Sequence, residues 1–424
     1  MSKAKKPGDE EIKEILTLAE EALHNLDLVK EYCRPQWRMV QQLIDKFKRD
    51  EITVAVIGQF KRGKSLLSNV ILDDPVMPVG IVPVTSAITT VRYGDRSAEV
   101  AFVNGEIRKV AFADLDRYIS EQKNPDNVLR VREVRLHTPS PFLREGITYV
   151  DTPGVGSYHE NNTKVAYRHM KDADAVIFLL SVDSPINRIE IEFLRNAENF
   201  AGRFYFAVNK IDLVTDEELA EYTAYCRDLL MDLTGDSEIR LFPVSAKKGK
   251  GVGELKEAIL EDCRRSLRGI MRESTRKKLI RVLKAAEREM EFFWDAMRMP
   301  YENLDDKFHA IKTFIEEKKG EAEEKTGSYP LHLNEWKLQL ADKIKDLFGL
   351  EYGFEIEESQ SLLSLMSRET YQKEVGALFA EVEASLSAIL LYREENAYTV
   401  IRRIEDINKA TRHIRALVVR LERM

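Results

Sequence analysis

The sequence predicts an α/β domain, with a mixed and mainly parallel sheet covered by helices on both faces, joined to an elongated α-helical bundle. Three observations support this prediction. Apolar residues recur at steps of three and four near both ends of the chain, as they do in packed helices. Between residues 51 and 268, short β-branched runs alternate with helix-like stretches, separated by Gly, Pro and Asp. The 424 residues are also too many for one core and suggest about two or three domains.

Residues 1–50 are predicted to form two helices. The apolar seam of the first helix ends before Arg34 and Pro35, and a second, short helix is expected over residues 36–49. Because these helices have no core of their own, we expect them to pack into the C-terminal bundle. The seam consists of Ile12, Ile15, Ala19, Ala22, Leu26 and Val29.

Residues 51–268 are predicted to form the α/β domain. Its apolar strands lack the alternation of polar and apolar residues, so we expect them to be parallel and buried on both faces. The predicted strands are 52–57, 87–93, 98–102, 131–136, 147–150, 175–180, 204–208 and 240–244.

Residues 269–424 return to helical periodicity. Apolar stripes of this kind are far more often packed core than a cofactor site, so they predict a helical bundle. The first helix should end at Met299 and Pro300. The stripes begin at Leu279, Leu304, Trp336, Val375 and Val400.

Composition excludes several classes of protein. No stretch approaches the roughly 18–20 uninterrupted apolar residues of a membrane-spanning helix. The basic start is not followed by an apolar segment, so we expect a cytoplasmic protein that contacts a membrane only peripherally. Cys33, Cys226 and Cys263 are too widely spaced to predict a disulfide framework or a zinc site.

Residues 58–65, GQFKRGKS, match the P-loop pattern GxxxxGK[ST] between an apolar strand and a helix-like stretch. The glycines let backbone N–H groups point at phosphate oxygens, Lys64 neutralises the β and γ phosphates, and the Ser65 hydroxyl binds Mg²⁺. The residues predicted to contact nucleotide here are Gly58, Phe60, Lys61, Arg62, Gly63, Lys64, Ser65 and Leu66.

The segment 150–154, VDTPG, follows another strand. Asp151 is expected to hold Mg²⁺ through water, and the Gly154 N–H to sense the γ-phosphate. The switch threonine is expected to be Thr85, which lies in a loop bounded by Pro, whereas Thr89 is predicted to be a strand residue. The predicted metal-binding residues are therefore Ser65, Thr85 and Asp151.

The base-binding motifs also follow strands. In NKID at residues 209–212, the Asp212 carboxylate can accept hydrogen bonds from N1–H and the exocyclic amine of guanine, a donor pair that adenine lacks. Ser245-Ala246-Lys247 is expected to supply backbone for the guanine O6. Four motifs in this order, each at a strand end, predict binding of GTP or GDP with Mg²⁺. The predicted base-binding residues are Asn209, Lys210, Asp212, Ser245, Ala246 and Lys247.

The motif set resembles the dynamin superfamily, and within it the bacterial dynamin-like GTPases of the mitofusin-related branch. The P-loop runs into Leu66-Leu67-Ser68-Asn69, and the segment 83–89, PVTSAIT, is followed by Arg92-Tyr93-Gly94, as in that branch. The 86 residues between Lys64 and Asp151 leave room for the insertion expected of a dynamin-type G domain.

The resemblance implies GTP hydrolysis, nucleotide-dependent dimerisation of the G domain, and movement of the helical bundle in membrane remodelling. It implies a second copy, a paired dynamin-like protein and peripheral lipid as partners. Val155 stands where small GTPases have a glutamine that orients water, so hydrolysis is expected to depend on Lys64, Thr85 and Lys61. Lys61 either stabilises developing phosphate charge or makes a solvated salt bridge, and Arg62 has the same two possible roles.

The charge distribution bears on the choice of partner. The net charge of −7 argues against nucleic acid as the main partner, but residues 264–284 carry nine Lys or Arg against one acid, and the last helix, from Arg402 on, is also basic. These stretches are either solvated helix faces or contacts for lipid headgroups or phosphodiester.

Two functions besides membrane remodelling are therefore compatible with the sequence. An RNA- or ribosome-associated assembly GTPase shares the VDTPG and NKID motifs, and it predicts a β-containing RNA-binding domain after the G domain. A GTP-gated scaffold, in which the helices bind protein partners, predicts little turnover. The long helical seams of the C-terminal part, without interleaved aromatic residues, count against the RNA-associated function.

Overall fold

The structure is a computed structural model that describes residues 9–49, 51–78, 88–120, 123–124, 127–152, 172–197, 200–236, 238–300, 302–325, 329–354 and 368–424. The chain divides into two compact units. The sheet unit contains Lys46–Lys278, and the helical unit contains Glu14–Asp45 and Leu279–Met424.

The nine described strands of the sheet unit form one sheet in the order β4-β3-β5-β2-β6-β1-β7-β8-β9. Central β1 lies parallel to both β6 and β7, and β7, β8 and β9 continue the parallel part. Strand β2 pairs parallel with β5 and antiparallel with β6, and β3 pairs antiparallel with β4 and β5. The strands are β1 (Ile52–Ile57), β2 (Ile88–Tyr93), β3 (Ser97–Phe102), β4 (Ile107–Val110), β5 (Val131–Thr138), β6 (Ile147–Asp151), β7 (Ala175–Ser181), β8 (Arg203–Asn209) and β9 (Leu241–Pro243).

The predicted mixed, mainly parallel sheet is confirmed. Strand β4 was not predicted, because its sequence IRKV is mostly exposed and polar and lacks the apolar pattern of the other strands. It extends the sheet as an edge strand next to β3. The predicted strand over residues 240–244 is shorter in the structure, where β9 has three residues.

Apolar side chains of the sheet alternate between two cores. Val54 and Val56 pack on the face that is covered by helix α3, whereas Ala55 and Ile57 pack on the opposite face, against α5 and α6. The carboxyl ends of β1, β6, β7 and β8 therefore lie between two helical layers. The described α-helices are α1 (Asp9–Asp27), α2 (Arg34–Lys48), α3 (Lys64–Leu72), α4 (Asp116–Ile119), α5 (Arg188–Ala197), α6 (Asp216–Thr234), α7 (Val252–Arg298), α8 (Leu304–Glu324), α9 (Tyr329–Phe348), α10 (Arg368–Glu394) and α11 (Ala397–Arg423).

The helical unit buries the seams that the periodicity predicts. Ile15 and Leu26 of α1 and Ile414 of α11 are buried, and so is Val29, which lies in the turn after α1. Helices α8, α9 and α10 pack against one another, and the buried Trp336 Nε1 donates to Tyr371 Oη at 2.5 Å. A helical bundle is thus confirmed.

None of the described helices is both long enough and apolar enough to span a membrane. Helix α7 contains one residue with non-helical backbone angles, Ser266.

Candidate nucleotide-binding site

The P-loop connects the end of β1 to the start of α3, and its glycines are required by close contacts. A Cβ on Gly58 would lie 2.5 Å from the Leu179 carbonyl oxygen. Gly63 has φ +95°, and a Cβ there would lie 2.6 Å from Asn209 Nδ2. The loop is therefore closely packed against β7 and against the start of the NKID motif.

Lys64 crosses the inside of this loop. Its Nζ donates to the carbonyl oxygens of Gly58 at 2.9 Å and Gln59 at 3.1 Å. Burial lowers the pKa of Lys64 to about 8. The hydrogen bonds of the ammonium group go to backbone dipoles, so an anion at the loop would stabilise its charged form.

Asp151 ends β6 beside the first residue after the P-loop lysine. Ser65 Oγ donates to Asp151 Oδ2 at 2.9 Å, and burial raises the pKa of Asp151 to about 6. Asp151 Oδ1 is buried and has no hydrogen-bond partner among the described residues. The Ser65 hydroxyl and the Asp151 carboxylate, one oxygen of which is buried and unpaired among the described residues, fit the oxygen ligands that Mg²⁺ prefers.

Asn209 joins the phosphate side of the site to the base side. Its Nδ2 donates to the Arg62 carbonyl oxygen at 2.8 Å, and its Oδ1 accepts from the Ala246 N–H at 2.9 Å. The P-loop, the NKID segment and the SAK segment are therefore held together at one edge of the sheet. Nothing in the sequence pattern alone indicated this bridging role.

The other base-side residues are also positioned by hydrogen bonds. Ser245 Oγ donates to Asp212 Oδ1 at 2.5 Å, and this bond holds the pKa of the exposed Asp212 carboxyl below its usual range. Lys210 adopts φ +66°, and its Nζ donates to Asp183 Oδ2 at 2.7 Å. Asp212 thus stays ionised at neutral pH, and the bond from Ser245 occupies only its Oδ1 atom.

Arg62 requires a correction. Both roles predicted for its side chain, a phosphate contact and a solvated salt bridge, are wrong in this structure, because the guanidinium is buried and paired with the buried Glu190 at 2.7 Å. It also donates to the carbonyl oxygens of Ser181, Ser184 and Pro185. Glu190 lies 128 residues further along the chain, so no local pattern could reveal the pair.

Of the other predicted site residues, the structure describes some and not others. Lys61 is exposed at φ +68°, with its Nζ 5.5 Å from the centre of the Phe60 ring, and both of its predicted roles stay open. Thr85, Gly154 and Val155 lie outside the described residues. Thr89 lies in β2, as its sequence context predicts.

Several residues of the basic stretch 264–284 have partners within their own unit. Lys278 is buried against Asp174 at 3.1 Å, which the sequence did not predict. Arg276 pairs with Glu273 at 2.7 Å, and Lys284 pairs with Glu422 at 2.6 Å. These ion pairs reduce the positive charge that this stretch presents to solvent.

Comparison with known proteins identifies the family. Residues 54–212 match the dynamin family. An uncharacterized protein in the xynA 3′ region of Caldicellulosiruptor sp. (strain Rt8B.4) is 31% identical over 295 residues, which cover 66% of this chain and 73% of that protein. Dynamin-like protein 2 of Campylobacter jejuni is 30% identical over 206 residues, which cover 47% of this chain and 32% of that protein. The chain belongs to the dynamin superfamily, among its bacterial dynamin-like members.

This bacterial dynamin-like chain also has a similar solved structure, an oligomerised bacterial dynamin pair described as sensing and tethering membranes over long range. The match covers all of this chain and 82% of that one, with 14% identity and a TM-score of 0.44. The chain spans about a third of the Campylobacter relative. Its dynamin-type GTPase domain implies binding of guanine nucleotide.

Proposed function

We propose that this dynamin-like protein binds and hydrolyses GTP, and that nucleotide-dependent dimerisation of its G domain moves the helical bundle during membrane remodelling. The observation that best supports nucleotide binding is the pair of hydrogen bonds made by the Asn209 side chain. One bond goes to the P-loop and the other to the proposed base-binding loop, at the carboxyl ends of the strands. In an open α/β sheet, that edge is where ligands bind.

The phosphate side has a defined set of groups. Lys64 leaves its loop carbonyls for the β and γ phosphates, and P-loop N–H groups bind the same oxygens. Ser65 and Asp151 would hold Mg²⁺, which supplies positive charge to the phosphates when bound. Thr85, Gly154 and Lys61 are proposed to complete this side, with hydrolysis by in-line attack of water on the γ-phosphate.

The base side selects guanine. Asp212 would accept from N1–H and the exocyclic amine, and the hydrogen bond from the Ser245 hydroxyl to Oδ1 orients its carboxylate. The backbone of residues 245–247 is proposed to contact O6, which requires the Ala246 N–H to exchange its bond with Asn209 Oδ1 for one with the base. Asn209 and Lys210 hold the loops in place. Adenine presents no matching donors to a carboxylate at this position.

The proposal also assigns roles to the domains and names the partners of the protein. We propose residues 1–50 and 269–424 as the moving bundle and 51–268 as the G domain. The bacterial dynamin-like relatives support self-association and a paired dynamin-like protein as partners, and we propose peripheral lipid as a third. An RNA-associated GTPase would carry a β-containing domain after the G domain, and the described residues beyond Pro243 contain helices but no strand.

The first test measures the GTP hydrolysis rate against protein concentration, with Lys64→Ala as the control. We expect specific activity to rise with concentration, the protein to dimerise in a transition-state analogue, and Lys64→Ala to lose both. A slow rate that does not depend on concentration, in a protein that stays monomeric, would instead favour the low-turnover scaffold.

The membrane part is tested separately by flotation with anionic liposomes and GTP analogues. Association that requires nucleotide and is lost in Lys64→Ala supports remodelling. If the protein never floats with liposomes or with a membrane-bound partner, the remodelling part of the proposal is wrong even when hydrolysis is observed.

A further inference from the structure

Thr89 of β2 lies directly opposite Asp151 of β6 in an antiparallel register. Directly opposed residues place their side chains on the same face of a sheet. That face is the one covered by α3, because the next residues along, Val91 and Tyr149, share a core with Leu67 of α3. Thr89 therefore lies beside the carboxylate that is proposed to hold the metal.

The Thr89 hydroxyl is unpaired within the part of the chain that the structure describes. The residue is fully buried, and its Oγ1 has no hydrogen-bond partner among the described residues, as is also true of Asp151 Oδ1. A buried, unpaired hydroxyl is unfavourable, and valine has the same shape without that cost. The neighbouring Thr90 is the contrasting case, because its hydroxyl donates to Glu133 Oε1 at 2.7 Å.

Two buried and unpaired oxygens on opposed residues are suited to a shared polar ligand. Asp151 Oδ2 already accepts from Ser65 Oγ, so Oδ1 is the oxygen of this carboxylate that has no partner among the described residues. Water ligands of Mg²⁺ are strong hydrogen-bond donors, and the ion keeps several of them when it binds nucleotide. Groups that hold such waters orient the metal without touching it.

We propose that Thr89 is a positioning residue of the metal site, and that its hydroxyl and Asp151 Oδ1 together hold a water ligand of Mg²⁺. This inference rests on the proposed function, because it requires Mg²⁺ to bind with the nucleotide at Ser65 and Asp151. It assigns Thr89 a role separate from that of Thr85, which is proposed as a metal ligand.

The test measures the dissociation rate of fluorescent GDP while the Mg²⁺ concentration is varied. We expect Thr89→Val to raise the Mg²⁺ concentration needed for half-maximal retention by about tenfold, the lower end of what loss of an outer-shell partner costs. Thr89→Ser keeps the hydroxyl and should remain near wild type. Thr90→Val removes a hydroxyl from the other face of the same strand and should leave the Mg²⁺ dependence unchanged.

A second readout separates metal positioning from folding. Without nucleotide and Mg²⁺, Thr89→Val should melt at or above the wild-type temperature, because an unpaired buried hydroxyl has been removed. The temperature increase on adding Mg²⁺ and GDP should be smaller than in wild type. If Thr89→Val does not fold, Thr89→Ala carries the same expectation for the Mg²⁺ titration.

Two results would overturn the inference alone. One is a wild-type chain that responds to Mg²⁺ and a Thr89→Val variant that responds identically. The other is a shift in Thr90→Val as large as that in Thr89→Val. A wild-type chain that binds no nucleotide at any Mg²⁺ concentration overturns the proposed function, and this inference with it.

Discussion

Among the described residues of the sheet unit, two buried aspartates each lie near a buried lysine, and they occupy opposite ends of the parallel strands. Asp151 and Lys64 lie at the carboxyl ends of β6 and β1, whereas Asp174 lies just before β7, close to Lys278 of α7. All four side chains are less than a tenth exposed. The two sites differ in how completely their polar atoms are paired.

Asp174 is fully partnered. Its Oδ2 accepts from the Thr53 N–H at 2.8 Å and from Lys46 Nζ at 2.6 Å, and its Oδ1 accepts from Ser274 Oγ at 2.8 Å and Lys278 Nζ at 3.1 Å. Burial alone would raise the pKa of Asp174, but the ion pairs with Lys278 and Lys46 hold it well below its usual range.

Asp151 has far fewer partners for a similar burial. Its pKa is raised to about 6 by burial, one of its oxygens is unpaired among the described residues, and Lys64 rests on backbone carbonyls. Residue type and burial therefore do not distinguish a structural site from a binding site. The two sites differ in how completely their polar atoms are paired, and unpaired buried groups are retained where a ligand will pair them, which supports the proposal that Asp151 belongs to a binding site.

The largest effect should come from neutralising each aspartate in turn. Asp174→Asn leaves Lys278 buried without its countercharge, and we expect it to lower the free energy of unfolding by about 3–5 kcal/mol. Asp151→Asn should be no less stable than wild type at pH 7, because it removes a charge that burial disfavours. Urea unfolding of the nucleotide-free proteins measures both changes.

Nucleotide binding provides the matched control for this pair. Asp151→Asn should lose Mg²⁺-dependent binding although it is folded, and Asp174→Asn should keep binding at temperatures where it remains folded. If both variants were destabilised equally, the distinction between a paired and an unpaired site would be wrong.

The second effect is a pH dependence of opposite sign at the two sites. The pKa of Asp151 is about 6 in the folded protein, against the 3.8 that is usual for an aspartate in an unfolded chain. The native state therefore binds the proton more tightly than the unfolded state does. Protonated Asp151 therefore adds to the free energy of unfolding below about pH 4. This contribution, roughly 3 kcal/mol, is lost as the pH rises through 6. Asp174, with a depressed pKa, contributes stability above pH 4 that is lost on acidification.

Comparing Asp151→Asn with wild type at each pH isolates the contribution of Asp151 to the pH dependence of stability. The difference in unfolding free energy between Asp151→Asn and wild type should grow from pH 4 to pH 7 when measured by urea unfolding without nucleotide. Because Mg²⁺ requires the ionised carboxylate, metal-dependent nucleotide retention should also weaken below about pH 6. A pH-independent difference would mean that Asp151 is not protonated near pH 6.

The sequence predicted the sheet and the motif positions because both depend on local patterns. Buried strands are short apolar runs, and P-loop and NKID residues are fixed by the turn that each must make. Partners that are far apart in the chain leave no such pattern. In the sequence, Lys278 is part of a basic helix face, but in the structure it pairs with Asp174. Arg62 likewise has the sequence context of a phosphate contact, but in the structure it pairs with Glu190.

The smallest predicted effect concerns two glycines with almost equal backbone angles. Gly63 in the P-loop has φ +95°, and Gly105 in the turn between β3 and β4 has φ +91°. A Cβ on Gly105 would have nothing within 4 Å, whereas one on Gly63 would lie 2.6 Å from Asn209 Nδ2. Alanine at Gly105 therefore adds only backbone strain, of about 1–2 kcal/mol.

Alanine at Gly63 should add the loss of Asn209 hydrogen bonds to the same strain, so Gly63→Ala should be less stable than Gly105→Ala by about 1 kcal/mol. Urea unfolding compares the two variants directly. Only Gly63→Ala should also weaken GDP binding, because Asn209 is the residue that holds the phosphate loop to the base loops. Equal GDP affinity in the two variants would show that the bridge through Asn209 is not needed to form the site, and the loops would then owe their arrangement to the strand ends alone.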